Sequence, residues 1–415
     1  MSATRPDRYH ADPPIVDSSG VTPPSVNAYD QESVLRPGRW TQLVAVEPRF
    51  WDFLYGLELE SPETFVWKFG TNVPTYEAFV SRLSETVLSQ YVILDRQTGL
   101  PIGLLQAVRP NLNSGYATLV VLLSARLRGS GIAIESIFQF IRHLFDTWRL
   151  RKLYCHVPDY SVPSIASILG PLLKEEGRLR GRIYSRGGIW DDLIFAIWRE
   201  EFDEIKFRSH ARRIVSRAPI DLDASGANPT PATLLRSPGT FERVQGVDEF
   251  MSGRRVRLVP VLPGHHEWLY KLSVQDEASF RWRYLGAQIS REAFQAQLWP
   301  GVLCQFIVST RKAGTPIGFV TAYQANLNIG YAYVGGMMAK DARRTGIGNE
   351  GFFLLFEYLR RTWNIQKLYF EFPEFNQSQF SRSLGGDLEE EVCLRSHVYF
   401  GGRYWNYQTF SYTFK

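Results

Sequence analysis

Apolar and polar residues alternate through RWTQLVAVE from Arg39, and again through RRVRLVPVL from Arg254. A period of two predicts a half-buried strand in each place. An aromatic-bearing helical region follows. After it come two strand-like stretches, YVILDR and PIGLLQAV in the first instance, QFIVSTR and PIGFVTAY in the second. NLNSG and NLNIG read as hairpin turns between strands. The period then changes. Ile134, Ile137, Phe138, Ile141 and Phe145 recur at helical spacing and predict an amphipathic helix, which KLYCHV follows as a strand; KLYFEF holds the same place later. A short helical stretch and two aromatic-rich strands end each series. The order predicts an α/β unit (an α+β mixed sheet) with antiparallel hairpins around a strand–turn–helix–strand.

The unit occurs twice. Gly131 falls on Gly346, an offset of 346 − 131 = 215, and at that offset GLPIGLLQAVRPNLNSGYATL lies on GTPIGFVTAYQANLNIGYAYV. Gly38-Arg39 meets Gly253-Arg254, Trp67 meets Trp282, Trp148 meets Trp363, Trp190 meets Trp405, and Phe195 meets Phe410, without a gap. From Gly99 onward about a third of the paired positions are identical. A repeat this long is a domain, not a solenoid unit. The expected organisation is a polar, mobile arm over 1–35, a first domain over 36–200, a joining segment over 201–250, and a second domain over 251–415. The joining segment opens on FDEIKFRSHARRIVSR, a candidate basic helix, and continues as a linker.

Composition narrows the classes without choosing one. The chain has 415 residues, 44% hydrophobic and 21% charged, with a net charge of +5. That is a globular composition, too long for one ordinary core and too weakly basic for a nucleic-acid signature. Cys155, Cys304 and Cys393 are widely spaced and build neither a disulfide framework nor a zinc site, so no metal is expected. MSATRPDRYHADPP lacks an apolar signal segment, and no apolar run approaches a membrane span, so a cytoplasmic protein with no membrane partner is expected.

Candidate chemistry centres on the turn before the long helix. The first N–H groups of a helix have no intrahelical partner and lie at the positive end of its dipole. A glycine-containing turn lets a bulky anion approach them. Arg343, Gly346 and Gly348 make R-x-x-G-x-G; Arg128, Gly131 and Ala133 make R-x-x-G-x-A. Neither is a Walker A loop nor a dinucleotide fingerprint. A tight turn flanked by surface arginines would leave the same trace. Recurrence after a strand and before a helix favours a phosphate or pyrophosphate ligand.

R-x-x-G-x-G/A between a strand and a long helix resembles the acyl-CoA pyrophosphate loop of the GNAT N-acyltransferase superfamily. With PIG, GYA, KLY and Glu135 or Glu350 in the first helical turn, each copy resembles the RimJ/RimL-like branch nearly end to end. The resemblance implies two tandem GNAT-like domains in pseudo-symmetric arrangement, with acetyl-CoA or another acyl-CoA as co-substrate. It implies that Arg128, Gly129, Ser130, Gly131 and Ala133, or Arg343, Arg344, Thr345, Gly346 and Gly348, hold the pyrophosphate. Backbone at Leu122–Leu123 or Met337–Met338 would pair with the pantetheine arm. The thioester would lie between two central strands that splay apart, and an amine would arrive from the other side.

A base is sought on the strand after the helix. Tyr369 and Glu371 share a face there and Glu374 lies just beyond; Tyr154, His156 and Asp159 are the first copy's counterparts. Each could equally be an ordinary polar residue at a strand end, and Glu135 and Glu350 could simply stabilise the helix start. The family's Asn-x-x-Ser/Ala is split: the second copy keeps Asn376 but has Gln379, while the first has Ser161 with Ser164. In the second copy no tyrosine follows where the family often has one to protonate the leaving thiolate, which leaves that acid unassigned; GGMM before the second loop gives slim backbone for the cofactor arm, which favours the second copy as the active one. The resulting expectation is an N-acyltransferase acting on a primary amine of a small molecule, peptide or protein N-terminus. The alternatives are an aminoacyl-tRNA-dependent transferase, with Lys206, Arg208, Arg212, Arg213 and Arg217 as its tRNA footprint, and a non-catalytic acyl-CoA-binding protein. Retained loops and modest charge weigh against tRNA.

Overall fold

A computed structural model of the chain describes residues 35, 37–59, 74–127, 131–185, 187–204, 230–231, 251–274, 284, 287–343, 345–377 and 388–414. The arm up to residue 34, the basic segment over Lys206–Arg217, and the loop residues Arg128, Gly129, Ser130 and Arg344 lie outside the described residues.

The first half runs β1 (Thr41–Ala45), α1 (Trp51–Leu59), α2 (Tyr76–Arg82), β2 (Val87–Asp95), β3 (Pro101–Asn111), β4 (Tyr116–Leu123), α3 (Ile134–Thr147), β5 (Lys152–Pro158), α4 (Val162–Leu169), β6 (Lys174–Ser185), β7 (Gly188–Trp198) and α5 (Arg199–Glu204). Two residues of the joining segment, β8 (Thr230–Pro231), pair with Ile189 and Gly188 of β7. The second half runs β9 (Val256–Pro260), α6 (His266–Val274), α7 (Arg291–Ala296), β10 (Val302–Thr310), β11 (Pro316–Asn326), β12 (Tyr331–Met338), α8 (Ile347–Thr362), β13 (Lys367–Pro373), β14 (Glu389–Phe400) and β15 (Arg403–Thr413). The first domain's expected end at Glu200 falls inside α5, which packs Phe202 against Phe138 and Phe145 of α3.

Among the described residues the strands form one mixed sheet, in the order β1-β2-β3-β4-β5-β7-β6-β14-β15-β13-β12-β11-β10-β9. The second part repeats the first in reverse, and β6 and β14 meet at the centre. Helix α3 buries the apolar face read from the sequence against one side of the first half's strands, with Ile137 and Phe138 at 2% exposure and Ile141 at 0%. Helix α8 does the same with Leu355, Phe356 and Leu359 against Phe370 and Phe372.

The seam has its own core, drawn from both halves: Tyr154, Leu179, Ile194 and Ala196 with Tyr331, Tyr333, Tyr369 and Val392. Gly177 pairs with Val392, its own counterpart at the repeat offset. A Cβ on Gly177 would lie 2.6 Å from both Val392 methyl carbons, so two side chains cannot share this point. Two lysines, Lys152 buried and Lys367 partly buried, cross the seam in opposite directions. Lys152 Nζ donates to Glu176 within its own half and to the Arg395 carbonyl of the other. Lys367 Nζ donates to Glu391 and to the Arg180 carbonyl.

Candidate functional site

The glycine turns take the conformation their residue type allows. Gly131 has φ +75° and Gly346 φ +73°, a left-handed backbone that costs a side chain strain. Nothing lies within 4 Å of a Cβ placed on Gly346, so the requirement there is conformational. No side chain on the residue preceding either helix caps it. Thr345 Oγ1 accepts the Ile347 N–H at 3.3 Å and donates to the Ala342 carbonyl at 2.7 Å, leaving the next amides of the first turn without intrahelical partners. A shallow cavity of ≈ 390 Å³ opens beside this turn, lined by Arg255, Gly346, Asn349, Glu350, Phe353 and Leu354.

Two arginines fix the shape of the second loop. Arg343 Nε donates to the Met338 carbonyl at 2.9 Å, tying the loop to the end of β12. Arg255 supplies a basic group that was not anticipated. Its Nη2 donates to the Gly346 carbonyl at 3.0 Å and its Nε to Glu350 at 3.0 Å. The repeat could not reveal it, because Arg255 aligns with Trp40. Glu350 and Glu135 do hold the helix starts, through the chain entering the first strand of each half. Glu135 accepts the Arg39 and Trp40 N–H groups at 2.7 and 3.0 Å; Glu350 accepts the Arg255 N–H at 2.7 Å.

Below each turn the sheet parts. Strands β4 and β5 run parallel but pair only over Tyr116–Thr118 with Lys152–Tyr154. Strands β12 and β13 pair only over Tyr331–Tyr333 with Lys367–Tyr369. Beyond those points the strands separate, leaving a notch at their C-terminal ends in each half. Leu122 and Leu123 pair on their other side with Leu104 and Gly103, and Met337 and Met338 with Phe319 and Gly318. Among the described residues their notch side has no strand partner. Crevices at the C-terminal ends of parallel strands, beside a helix N-terminus, are where α/β sheets receive ligands.

Glu371 stands at the mouth of the second notch. It is partly buried, on the face opposite Phe370 and Phe372. Burial pushes its carboxyl up to about 7, opposed by the Arg182 charge and a hydrogen bond from Thr409. Tyr323, Tyr333 and Tyr407 surround it; burial pushes their phenols up, and the Glu371 charge pushes them further. Glu374 is exposed in the turn after β13 and accepts the Asn406 N–H at 3.4 Å. Asn376 ends that turn. Neither Glu374 nor Asn376 lies within β13 beside Glu371, and no contact between them and Glu371 is seen among the described residues.

In the first half His156 holds the Glu371 position, its Nδ1 3.1 Å from Asp192 Oδ2. Asp192 is 4% exposed. Ser164 is in α4, with its side chain outside the described residues. Asp159 accepts the Tyr160 N–H at 2.8 Å. Asp192 and Arg182 both escaped the sequence reading. The pairing β5–β7–β6 brings them to the seam, and no local motif marks them.

No family model matches the chain. Over 76 residues, 18% of this chain, it is 33% identical to the SPbeta prophage-derived uncharacterized N-acetyltransferase YokL of Bacillus subtilis (strain 168), and the matched stretch spans 43% of that protein. Among solved structures it is similar to the spermidine/spermine N-acetyltransferase SpeG from Vibrio cholerae, at 20% identity and a TM-score of 0.34, covering 39% of this chain and 95% of that one. It is also similar to RimL, a ribosomal L7/L12 alpha-N-protein acetyltransferase in complex with coenzyme A, at 15% identity and a TM-score of 0.35, covering 39% of this chain and 95% of that one.

Proposed function

We propose that the chain is an acyl-CoA-dependent N-acyltransferase of two tandem, pseudo-symmetrically arranged domains. It transfers an acetyl or other acyl group to a primary amine of a small molecule, peptide or protein N-terminus, and the second half carries the chemistry. The observation that carries this reading is the notch between β12 and β13, whose first strand leads through the loop into a helix that starts on a left-handed glycine. A relative named as an N-acetyltransferase agrees with it.

The residues fit an acyl-CoA. First-turn amides around Gly346 and Gly348 would hold the pyrophosphate, with Arg255 fixing the loop's shape. Met337 and Met338 would offer backbone to the pantetheine arm. The thioester supplies the acyl group. Glu371 accepts the proton that the amine loses on acylation, and a carboxyl poised near 7 suits that task at neutral pH. The aromatic wall of Tyr323, Tyr333 and Tyr407 limits water around it. Holding amine and thioester in line supplies much of the remaining acceleration. Calorimetry with acetyl-CoA, followed by an acetylation assay across polyamines, amino acids and N-terminal peptides, tests the reading. Absence of binding to any acyl-CoA, with charged tRNA bound instead, would remove it in favour of aminoacyl transfer.

A further inference from the structure

Arg151 lies over Tyr404 of the other half; deeper in the seam, at matching positions of the repeat, each half also sends a residue into the other's tyrosines, and those two residues differ. The register between β6 and β7 shifts between Leu179 and Ile183, and that between β14 and β15 shifts between Leu394 and Val398. Bulges of this kind re-aim a side chain. Here they deliver Arg182 and His397, which occupy the same place in the repeat (397 − 182 = 215).

Arg182 lies over three rings of the second half, its guanidinium carbon 4.2, 5.0 and 5.5 Å from the centroids of Tyr331, Tyr333 and Tyr369. Its Nη1 is buried and has no hydrogen-bond partner among the described residues. The bulge is fixed from both sides. Gly181 N–H donates to Asp191 Oδ1 at 2.9 Å, and Arg180 N–H donates to Glu391 at 3.0 Å. A buried guanidinium with an unused donor is costly. The buried Asp192 carboxylate offsets part of that cost, and the rings under the guanidinium include Tyr369, which shares the face of β13 that carries Glu371.

His397 makes the opposite arrangement. It stacks on Tyr116 at 4.2 Å and its Nδ1 is 3.0 Å from the Tyr154 hydroxyl. Burial and the nearby Lys152 push it down to about 3, so it is neutral. The first half therefore receives no charge where the second receives one.

We infer that Arg182 is a positioning residue for the second half: its guanidinium, delivered across the seam by the β6 bulge, is the fixed positive charge that keeps the Glu371 carboxylate available, so that site is complete only in the joined chain. The catalytic meaning rests on the acyltransferase reading. The charged and titratable groups facing Glu371 are Arg182 from β6, Tyr323 from β11, Tyr333 from β12 and Tyr407 from β15, with Tyr369 on its own strand and Asp192 of β7 acting on Arg182. Arg182 is the cation among them.

The test uses the full chain labelled with carboxyl-13C glutamate, with the Glu371 signal identified by its loss in Glu371→Gln. Its titration midpoint should rise by about one unit in Arg182→Met and return towards the wild-type value in Arg182→Lys. The rate of acetyl transfer in Arg182→Met should fall about tenfold at pH 6.5 and less than twofold at pH 9, since base lost to protonation is recovered at high pH. Arg182→Gln replaces Arg182→Met if the latter does not fold. An unmoved midpoint, or an equal loss of rate at every pH, would overturn the inference. If no acyl transfer is found with any amine, the acyltransferase reading fails by itself, and the midpoint still decides whether Arg182 governs Glu371.

Discussion

At the strand position that follows the long helix, the first half carries His156 and the second Glu371, and their surroundings share almost nothing. His156 is engaged by Asp192 at 3.1 Å; at the Asp192 position the second half has Tyr407. Glu371 instead faces tyrosines and a borrowed arginine. The backbone around both is the same: three paired residues, then a notch, then a glycine turn. The two halves share the features that depend on main-chain geometry and differ in the side chains at the notch. A joined pair can do this where two identical chains could not. Gly177 against Val392 shows it directly, because identical residues would meet as two valines or leave a gap between two glycines.

The largest expected effect separates the halves by chemistry. Glu371→Gln should lower the rate of acyl transfer on the order of a hundredfold, the usual cost of a lost general base, with acyl-CoA affinity within about twofold of wild type. His156→Gln should leave the rate within about threefold. Steady-state kinetics at pH 7.5 distinguish the two. The reverse result would move catalysis to the first half, and no effect from either would leave positioning as the enzyme's whole contribution.

Next comes the seam. Gly177→Val would press a side chain into Val392 and should destabilise the chain by about 1–3 kcal/mol, as overpacking does. Adding Val392→Gly should recover most of that loss, because the pair is then merely exchanged. Chemical denaturation of the three variants checks this, and failure of the exchange to rescue would show that the seam tolerates no swap of its two sides.

Much of this architecture is legible in the sequence, for physical reasons. The alternation in RWTQLVAVE, the helical spacing from Ile134 to Phe145 and the turns NLNSG and NLNIG are local signals, and each became the element expected. The glycine turns were legible because a left-handed residue before a helix is nearly confined to glycine. Glu371 and His156 could be nominated from period two alone. What surrounds them could not. Arg182, Asp192 and Tyr407 reach the site through pairing of distant strands and across the seam, and nothing near them in the chain records it. The reach of Arg343 back to the Met338 carbonyl depends on the fold of the loop, and no local signal records it.

A smaller contrast concerns the two glycine turns. Gly346→Glu places a carboxylate at the anion site and a side chain on a left-handed residue, and should weaken acetyl-CoA binding about tenfold, the cost of roughly 1.4 kcal/mol. Gly131→Glu should weaken it less than about threefold if the second half is the operative one. Calorimetry on both variants measures the difference, and equal losses would show that both halves bind the acyl donor.

The smallest effect is a stability that depends on pH. Glu371 is pushed up to about 7 by burial, from the ordinary range of a glutamate. Between those values the folded chain binds a proton that the unfolded chain does not, so stability falls as pH rises through that window. Above 7 the full cost of the buried carboxylate remains. Glutamine at 371 carries no charge and avoids it. Glu371→Gln should therefore melt roughly 2–4 °C higher than wild type at pH 8, with the difference vanishing near pH 4.5. Such a gain at the cost of activity is the usual mark of a residue retained for function. Thermal melts at the two pH values check it. A difference that is the same at both would mean that Glu371 does not titrate in that window, and the second half would lose its candidate base.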